Sequence, residues 1–238
     1  MARILVFQHL PVEHPGSLRD FLAEDGFSWD VVELDAGDPI PSLAGYDALW
    51  VMGGPMDVWE EDSYPWLRAE KAAIREAILE RGMAYLGLCL GHQLLADALG
   101  GQVGKAAQAE VGLMTVTQTP AGRAHPLFVG LPETIPCLQW HGAEVQQLPP
   151  GAQTLAQSPH CAIQALALGE RVLGLQFHVE ITPTTIQDWD AIPAYRQALE
   201  TVLGPAGRTT LEQATQAAMP HLHHTARQLY RNWVRTLG

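Results

Sequence analysis

Along the first hundred positions, apolar residues fall in short unbroken runs separated by segments where they recur every three or four residues. RILVFQ (3–8), WDVVEL (29–34), ALWVMGG (48–54) and MAYLGL (83–88) are the unbroken runs. Short continuous runs of this kind predict strands buried on both faces. Between the first two, Ser17 is placed to cap a helix over Leu18, Phe21 and Leu22 that closes at Gly26. A second helix is predicted from about Pro65 to Arg81, with Leu67, Ile74 and Ile78 on one face. A third covers HQLLADAL (92–99) and stops at Gly100-Gly101. Strand, helix, strand, strand, helix, strand, helix is the rhythm of an α/β protein with an open parallel sheet covered on both faces.

Beyond residue 102 the pattern changes. GLMTVTQT, TIPCLQW, AQTLAQS, CAIQALAL and RVLGLQFHVE are β-type runs broken by Gly and Pro, and predict a small antiparallel β portion. Helical sequence returns only after Thr182, and residues 192–238 read as two or three helices divided near Gly204-Pro205 and at Pro220. The expected organisation is a domain over 1–190 and a helical extension over 191–238, packed on or beside it.

Composition narrows the field. The 238 residues are 47% hydrophobic, enough for one large core. Asp and Glu outnumber Lys and Arg by 26 to 14, and no basic run occurs, which speaks against a nucleic-acid partner. No stretch reaches the roughly 18–20 apolar residues of a membrane span. MARILVFQHL reads as a first strand rather than a secretory signal. The three cysteines, 89, 137 and 161, form no CxxC pair, so neither a disulfide nor a zinc framework is expected, and a cytoplasmic location is.

Cys89 sits in YLGLCLGHQLL, between a predicted strand and a predicted helix, with Gly87 and Gly91 on either side. That is the pattern of a nucleophile elbow, whose glycines permit close backbone packing. Such a turn would expose the sulfur at the carboxyl end of the sheet, where open α/β folds bind ligands. It would place the sulfur at a helix amino terminus, which favours negative charge. It would also aim the Leu90 N–H at a carbonyl oxygen under attack. A small packing cysteine in a tight turn is the competing reading.

A thiol nucleophile needs a base and a group to orient it. GLQFHVE puts His178 and Glu180 two apart on an extended segment, where side chains share a face with Cα atoms about 6–7 Å apart. Val179 would point to the opposite face, into the core. VMGGPMDV adds a strand-end turn with bare backbone, in which the Gly54 N–H could be a second oxyanion donor. Taken singly, the first could be an ordinary strand end and the second an ordinary glycine turn.

Together, GGP, GLCLGH and FHVE in that order resemble the class I glutamine amidotransferases, the Cys-His-Glu glutaminase type, and within them the stand-alone GMP-synthase-like subgroup. The resemblance runs from about residue 1 to 190. It implies a three-layer, flavodoxin-like sheet and a cytoplasmic enzyme that needs no cofactor or metal. Cys89 would be the nucleophile, His178 the acid and base, Glu180 its orienting group, and Gly54 and Leu90 the oxyanion hole. Gln93 matches a position that contacts bound glutamine. Gln139, Trp140, His141 and Gly142 match the segment that holds the substrate's amino-acid end. The implied reaction is hydrolysis of glutamine to glutamate and ammonia through a thioester. A possible partner is a separate ammonia-accepting synthase subunit. The family's last motif is commonly His-Pro-Glu, and Val179 in place of proline should matter little, since its side chain faces away. The residues after 191 are too few for the ATP-pyrophosphatase domain of a complete GMP synthase, so this chain is not expected to make GMP alone.

Other readings compete. A γ-glutamyl peptidase would use the same triad and differ only in the leaving amine. An α/β-hydrolase with a cysteine elbow would carry its acid before the histidine, the reverse of His178 and Glu180. A non-catalytic binding protein fits poorly with a complete Cys-His-Glu set. The acidic loop 57–62 could line the site or simply be exposed. His9 and His14 follow the first strand at the same edge, and read either as substrate contacts or as part of a capped loop. HLHH (221–224) does not bring three histidines to one helix face and is not expected to hold a metal.

Overall fold

Each apolar run of the amino-terminal half becomes a strand whose side chains enter two cores at once. In the computed structural model, which describes residues 2–238, β1 (Arg3–Gln8), β2 (Ser28–Glu33), β3 (Ala48–Val51) and β4 (Ala84–Leu88) pair in parallel in the order β2-β1-β3-β4. Successive side chains alternate across a strand. Ile4, Val6, Trp50 and Leu86 therefore join one core, and Leu5, Phe7, Leu49 and Tyr85 the other. The first core includes residues of α1 (Leu18–Glu24); the second includes residues of α2 (Trp66–Arg75) and α3 (Leu90–Ala98). Burial on both sides is why these strands carry no polar alternation.

The sheet then continues as one piece. Beyond β4 lie β9 (Val172–Leu175), β8 (Ala165–Leu168), β7 (Gln153–Gln157), β5 (Gln102–Gln118) and β6 (Thr134–Gln147), nine strands in all. β9 pairs in parallel with β4, and each later pairing is antiparallel. The fold is thus the expected three-layer α/β class. Strand order reverses beside β1, between its links to β2 and β3, which is where open sheets of this kind form a crevice at their carboxyl edge.

Some local expectations give way. Ser17 occupies the cap position of α1, but its hydroxyl makes no capping bond and has no partner. The second helix keeps its span only by changing register: after Arg75 it runs as a π-helical turn over Glu76–Glu80. A helix also occurs before Thr182, α4 (Pro120–Ala124), where Thr119 Oγ1 accepts from the Gly122 N–H at 3.0 Å and Pro120 sits at the first turn. Thr-Pro is a start signal in the sequence itself.

α5 (Thr185–Asp190), α6 (Pro193–Leu203) and α7 (Gly207–Val234) complete the chain. α6 stops at Gly204, which takes a φ of 76°. α7 runs straight through Pro220, contrary to the division expected there. An interior proline costs about 3 kcal/mol. Here Leu211 and Thr215 are buried before it and Leu222, Ala226, Leu229, Tyr230 and Trp233 after it, so tertiary burial holds both halves in line. Trp233 reaches the strands: its ring meets that of Trp50 at 5.3 Å, and its Nε1–H donates to Tyr85 O at 2.9 Å. The segment beyond 190 therefore shares the core of the strands.

Candidate active site

β4 delivers Cys89 to the crevice, and the turn that follows is held in an unusual conformation. Cys89 has φ 50° and ψ −102°, and no other non-glycine residue among those described has positive φ. An L-residue held this way costs about 1–3 kcal/mol unless its surroundings enforce it. They do so here: Cys89 N–H donates to Leu175 O at 2.7 Å, and Gly91 N–H to Met52 O at 3.1 Å. The flanking glycines are required by space. A Cβ at Gly87 would collide with the Gly91 carbonyl, and one at Gly91 with the Val51 carbonyl. Leu90, the next residue, begins α3 and has no acceptor for its N–H within the helix.

His178 and Glu180 follow β9 on an extended segment, pinned by reciprocal main-chain bonds between Leu138 and His178 at 2.9 Å each. His178 Nδ1 lies 2.6 Å from Glu180 Oε1, and Val179 N–H donates to Glu180 Oε2 at 2.9 Å. Val179 itself is buried in the core. The His178 ring is also within hydrogen-bonding reach of the Cys89 thiol. Burial alone would push this imidazole down. The Glu180 carboxylate and the contact with Cys89 outweigh it and hold the ring well above its ordinary value of 6.5. Burial pushes Glu180 up, but His178 and the hydrogen bonds around the carboxylate hold it below its ordinary 4.5. The resting state of the pair is imidazolium beside carboxylate.

The other buried histidines near the site have different engagements. Burial pushes His92 down to about 3, so it stays neutral. His141 Nδ1 lies 2.9 Å from Ala143 O, and its Nε2 stands 3.2 Å from Glu110 Oε2. His9 is fully buried between Gly53 O at 2.7 Å and Glu70 Oε1 at 2.9 Å. Of these four histidines, His178 is the one in reach of the sulfur.

Gly54, Cys89, Leu90, Gln93, Trp140, His141 and Gly142 line one cavity of about 140 Å3. Gln93 Nε2 donates to Ala143 O at 3.1 Å and to Gln176 Oε1 at 3.0 Å, so its amide is partly committed within the protein. Gln139 does not line this cavity. It is fully buried with neither amide atom hydrogen-bonded, one residue before Trp140 and so on the opposite face of β6.

Residues not singled out in the sequence also contribute. Gln176 donates from Nε2 to the sulfur at 3.6 Å, and its spacing to His178 and Glu180 was a readable signal. Asp57, at the start of the acidic loop, lines the cavity, and burial with nearby Glu60 raises its carboxyl above the ordinary 3.8. α6 supplies Ala194, Tyr195 and Ala198 to the wall. The Tyr195 hydroxyl donates to Glu13 Oε1, a buried carboxyl whose pKa is raised by burial. Trp189 stacks edge-on to His178 with centroids 4.8 Å apart. Among the described residues no group of three or more His, Cys, Asp or Glu is arranged to hold a metal, and no helix is long and apolar enough to cross a membrane.

A thiol on a constrained strand-to-helix turn, with an imidazole–carboxylate pair in reach at the crevice of an open sheet, defines an α/β protein with a cysteine-centred site. Comparison with known proteins gives the family. The model for glutamine amidotransferase class-I matches residues 16–188. The chain belongs to the class I glutamine amidotransferases.

The glutamine amidotransferase-like protein YfeJ of Salmonella typhimurium is 32% identical over 189 residues, 78% of each chain. The glutamine-hydrolyzing subunit of the GMP synthase of Sulfurisphaera tokodaii is 35% identical over 147 residues, 61% of this chain and 73% of that one. Against the GMP synthase of Thermomicrobium roseum the match covers 60% of this chain but only 27% of that protein. Among solved structures, a glutamine amidotransferase from Thermotoga maritima superposes with a TM-score of 0.86 at 29% identity, covering 98% of both chains. One from Methylobacillus flagellatus gives 0.87 at 28%, covering 100% of this chain and 96% of that one.

Proposed function

We propose that this protein hydrolyses the side-chain amide of glutamine to glutamate and ammonia through a thioester on Cys89. The Sγ thiolate attacks the amide carbon, and the carbonyl oxygen becomes an oxyanion that accepts from the N–H groups of Gly54 and Leu90. Neither N–H has a backbone acceptor among the described residues. His178, charged beside Glu180, gives its proton to the departing nitrogen, and ammonia leaves as the thioester forms. The neutral imidazole then takes a proton from water, whose oxygen attacks the thioester. Collapse of the second oxyanion releases glutamate and the thiolate, and His178 is again charged. Asp57 is suited to the substrate's ammonium group, and Gln93 with the Trp140–Gly142 segment to the rest of its amino-acid end.

The observation that carries this reading is His178, 2.6 Å from Glu180 and in reach of a sulfur set on a positive-φ elbow. Size supports glutamine over a γ-glutamyl peptide. The cavity holds about 140 Å3, against roughly 300–1,000 Å3 for sites that take larger ligands. Two of the GMP synthase relatives are named as subunits, and a separate ammonia-accepting synthase is the partner that fits this reading. Domain 1–190 and the extension 191–238 would act together, since α6 helps wall the cavity.

The test compares the purified protein on free glutamine and on γ-glutamyl peptides, with Cys89→Ala as control. Ammonia release from glutamine, abolished in the control, is the expected result. Peptide cleavage without glutamine turnover would replace this reading with the peptidase. Turnover that survives Cys89→Ala would end both.

A further inference from the structure

His9 and Glu70 form a buried polar pair that the steps above do not use. Both side chains are wholly inaccessible to solvent. His9 follows β1 and Glu70 lies on α2, 61 residues away. The partners of the imidazole fix its role: Nδ1 lies 2.7 Å from the Gly53 carbonyl oxygen and Nε2 2.9 Å from Glu70 Oε1. A carbonyl oxygen only accepts, so Nδ1 carries a proton and donates to Gly53. Glu70 holds the other nitrogen and thereby selects that arrangement.

Gly53 C=O and Gly54 N–H belong to a single peptide unit. In a planar trans peptide the two bonds point in opposite directions. With the carbonyl drawn to His9, the Gly54 N–H is turned away from it, and Gly54 lines the cavity beside Cys89 and Leu90. Glycine is needed at both positions, because a Cβ at Gly53 would collide with Glu13 and one at Gly54 would meet Met56 Sδ at 2.6 Å and Leu90 Cδ2 at 2.8 Å. A peptide flanked by two glycines is also among the easiest in a chain to flip, since neither residue resists the new torsions. A flip would turn the Gly53 oxygen toward the side that now presents a donor.

We infer that His9 and Glu70 are positioning residues that lock the Gly53–Gly54 peptide in the orientation that presents the Gly54 N–H as an oxyanion donor. This rests on the proposed amide hydrolysis, and it adds the device that keeps the hole formed before substrate arrives. Preorganised donors are effective because no reorientation is needed when charge develops.

The test uses two double variants of the full chain, so that no buried carboxylate is left unpaired. H9F/E70L removes the donor to Gly53, whereas H9N/E70Q keeps an N–H near the place of Nδ1. Thermal unfolding checks that both fold. Loss of one oxyanion donor lowers kcat by about 10²–10³-fold, and H9F/E70L should show that loss with KM changed only a few-fold. H9N/E70Q should recover most of it. Alkylation of Cys89 by iodoacetamide develops no oxyanion and should proceed at the wild-type rate in both. Alkylation that falls in step with hydrolysis would mean general disruption of the site and would overturn the proposal, as would full hydrolysis by H9F/E70L. Crystal structures of wild type and H9F/E70L decide the matter independently of turnover. A reversed or disordered 53–54 peptide in the variant alone is expected, and an unmoved one refutes the lock even if glutamine is not the substrate.

Discussion

His178 Nδ1 and Glu180 Oε1 stand 2.6 Å apart, while the second Glu180 oxygen is fixed by the Val179 N–H at 2.9 Å. Both carboxylate oxygens are thus engaged, and the imidazole is left with one nitrogen to serve the sulfur. Glu180→Gln keeps the shape but removes the charge that favours imidazolium. It should lower kcat on the order of 10²–10⁴-fold, the usual worth of a positioned acid–base group. The rate of Cys89 alkylation should fall as well. Steady-state kinetics and iodoacetamide labelling check both, and an unaffected kcat would remove Glu180 from the mechanism.

The same pair sets a pH window for stability. His178 is raised above 6.5, so its contribution is complete below 6.5 and is lost as pH rises through the raised value. Glu180 is depressed below 4.5, so its contribution is complete above 4.5 and is lost as pH falls through the depressed value. The stability difference between wild type and Glu180→Gln should therefore be flat between pH 4.5 and 6.5 and narrow on both sides. Urea unfolding across pH measures it. A difference that kept growing above pH 6.5 would contradict the charged-pair assignment.

Cys89 offers a test of stability given up for chemistry. Its φ of 50° suits glycine, and relief of such a conformation is worth about 1–3 kcal/mol. Cys89→Gly should abolish hydrolysis yet raise the unfolding free energy by about 1 kcal/mol, once the lost side-chain contacts are deducted. Cys89→Ala, equally inactive, keeps the strained torsion and should show no gain. Equal stabilities for the two variants would mean that the turn is unstrained.

Substrate recognition should separate from chemistry at Asp57, the single carboxylate lining the cavity among the described residues. Asp57→Asn is expected to raise KM for glutamine roughly tenfold, with kcat changed far less, as one exposed-edge ion pair of about 1–2 kcal/mol would require. The effect should vanish with a substrate analogue that lacks the α-amino group. A variant that loses kcat and keeps KM would put Asp57 in the chemistry instead.

How much of this was readable from the residues depends on the range of each signal. The elbow is local: Gly87 and Gly91 stand two residues from Cys89, and their need follows from contacts within the same turn and the neighbouring strand. His178 and Glu180 share a face by strand alternation, which is equally local. The buried strands of the amino-terminal half announce themselves because burial on both faces leaves continuous apolar runs. The pair His9 and Glu70 leaves no periodic trace, since 61 residues separate its members. Glu13 and Tyr195 are 182 apart and meet only because the extension folds back over the crevice. Pro220 misleads for the converse reason, since a local helix-breaking preference yields to burial contributed by distant strands.

Tyr195 is the residue on which substrate size should turn. It comes from α6, lines the cavity, and hydrogen-bonds through its hydroxyl to buried Glu13. Its ring is packed against Trp189 at 5.7 Å and Trp140 at 6.1 Å, and its carbonyl accepts from Trp140 Nε1 at 3.2 Å, so the wall it makes is firm. Glu13 behind it responds to the charge of His178, which places this wall on the side where the imidazole would protonate the leaving nitrogen. Ammonia is small enough to leave past it, and the amine of a peptide is not. Tyr195→Phe keeps the ring and should leave the preference for glutamine over γ-glutamyl peptides unchanged. Tyr195→Ala opens the wall at a stability cost of about 3–5 kcal/mol, and should raise kcat/KM for γ-glutamyl peptides relative to glutamine by about tenfold or more, a gain of about 1.4 kcal/mol in the transition state. Competition assays on both substrates read that ratio directly. A ratio unmoved by Tyr195→Ala in a folded variant would mean that the leaving group departs by another side of the cavity.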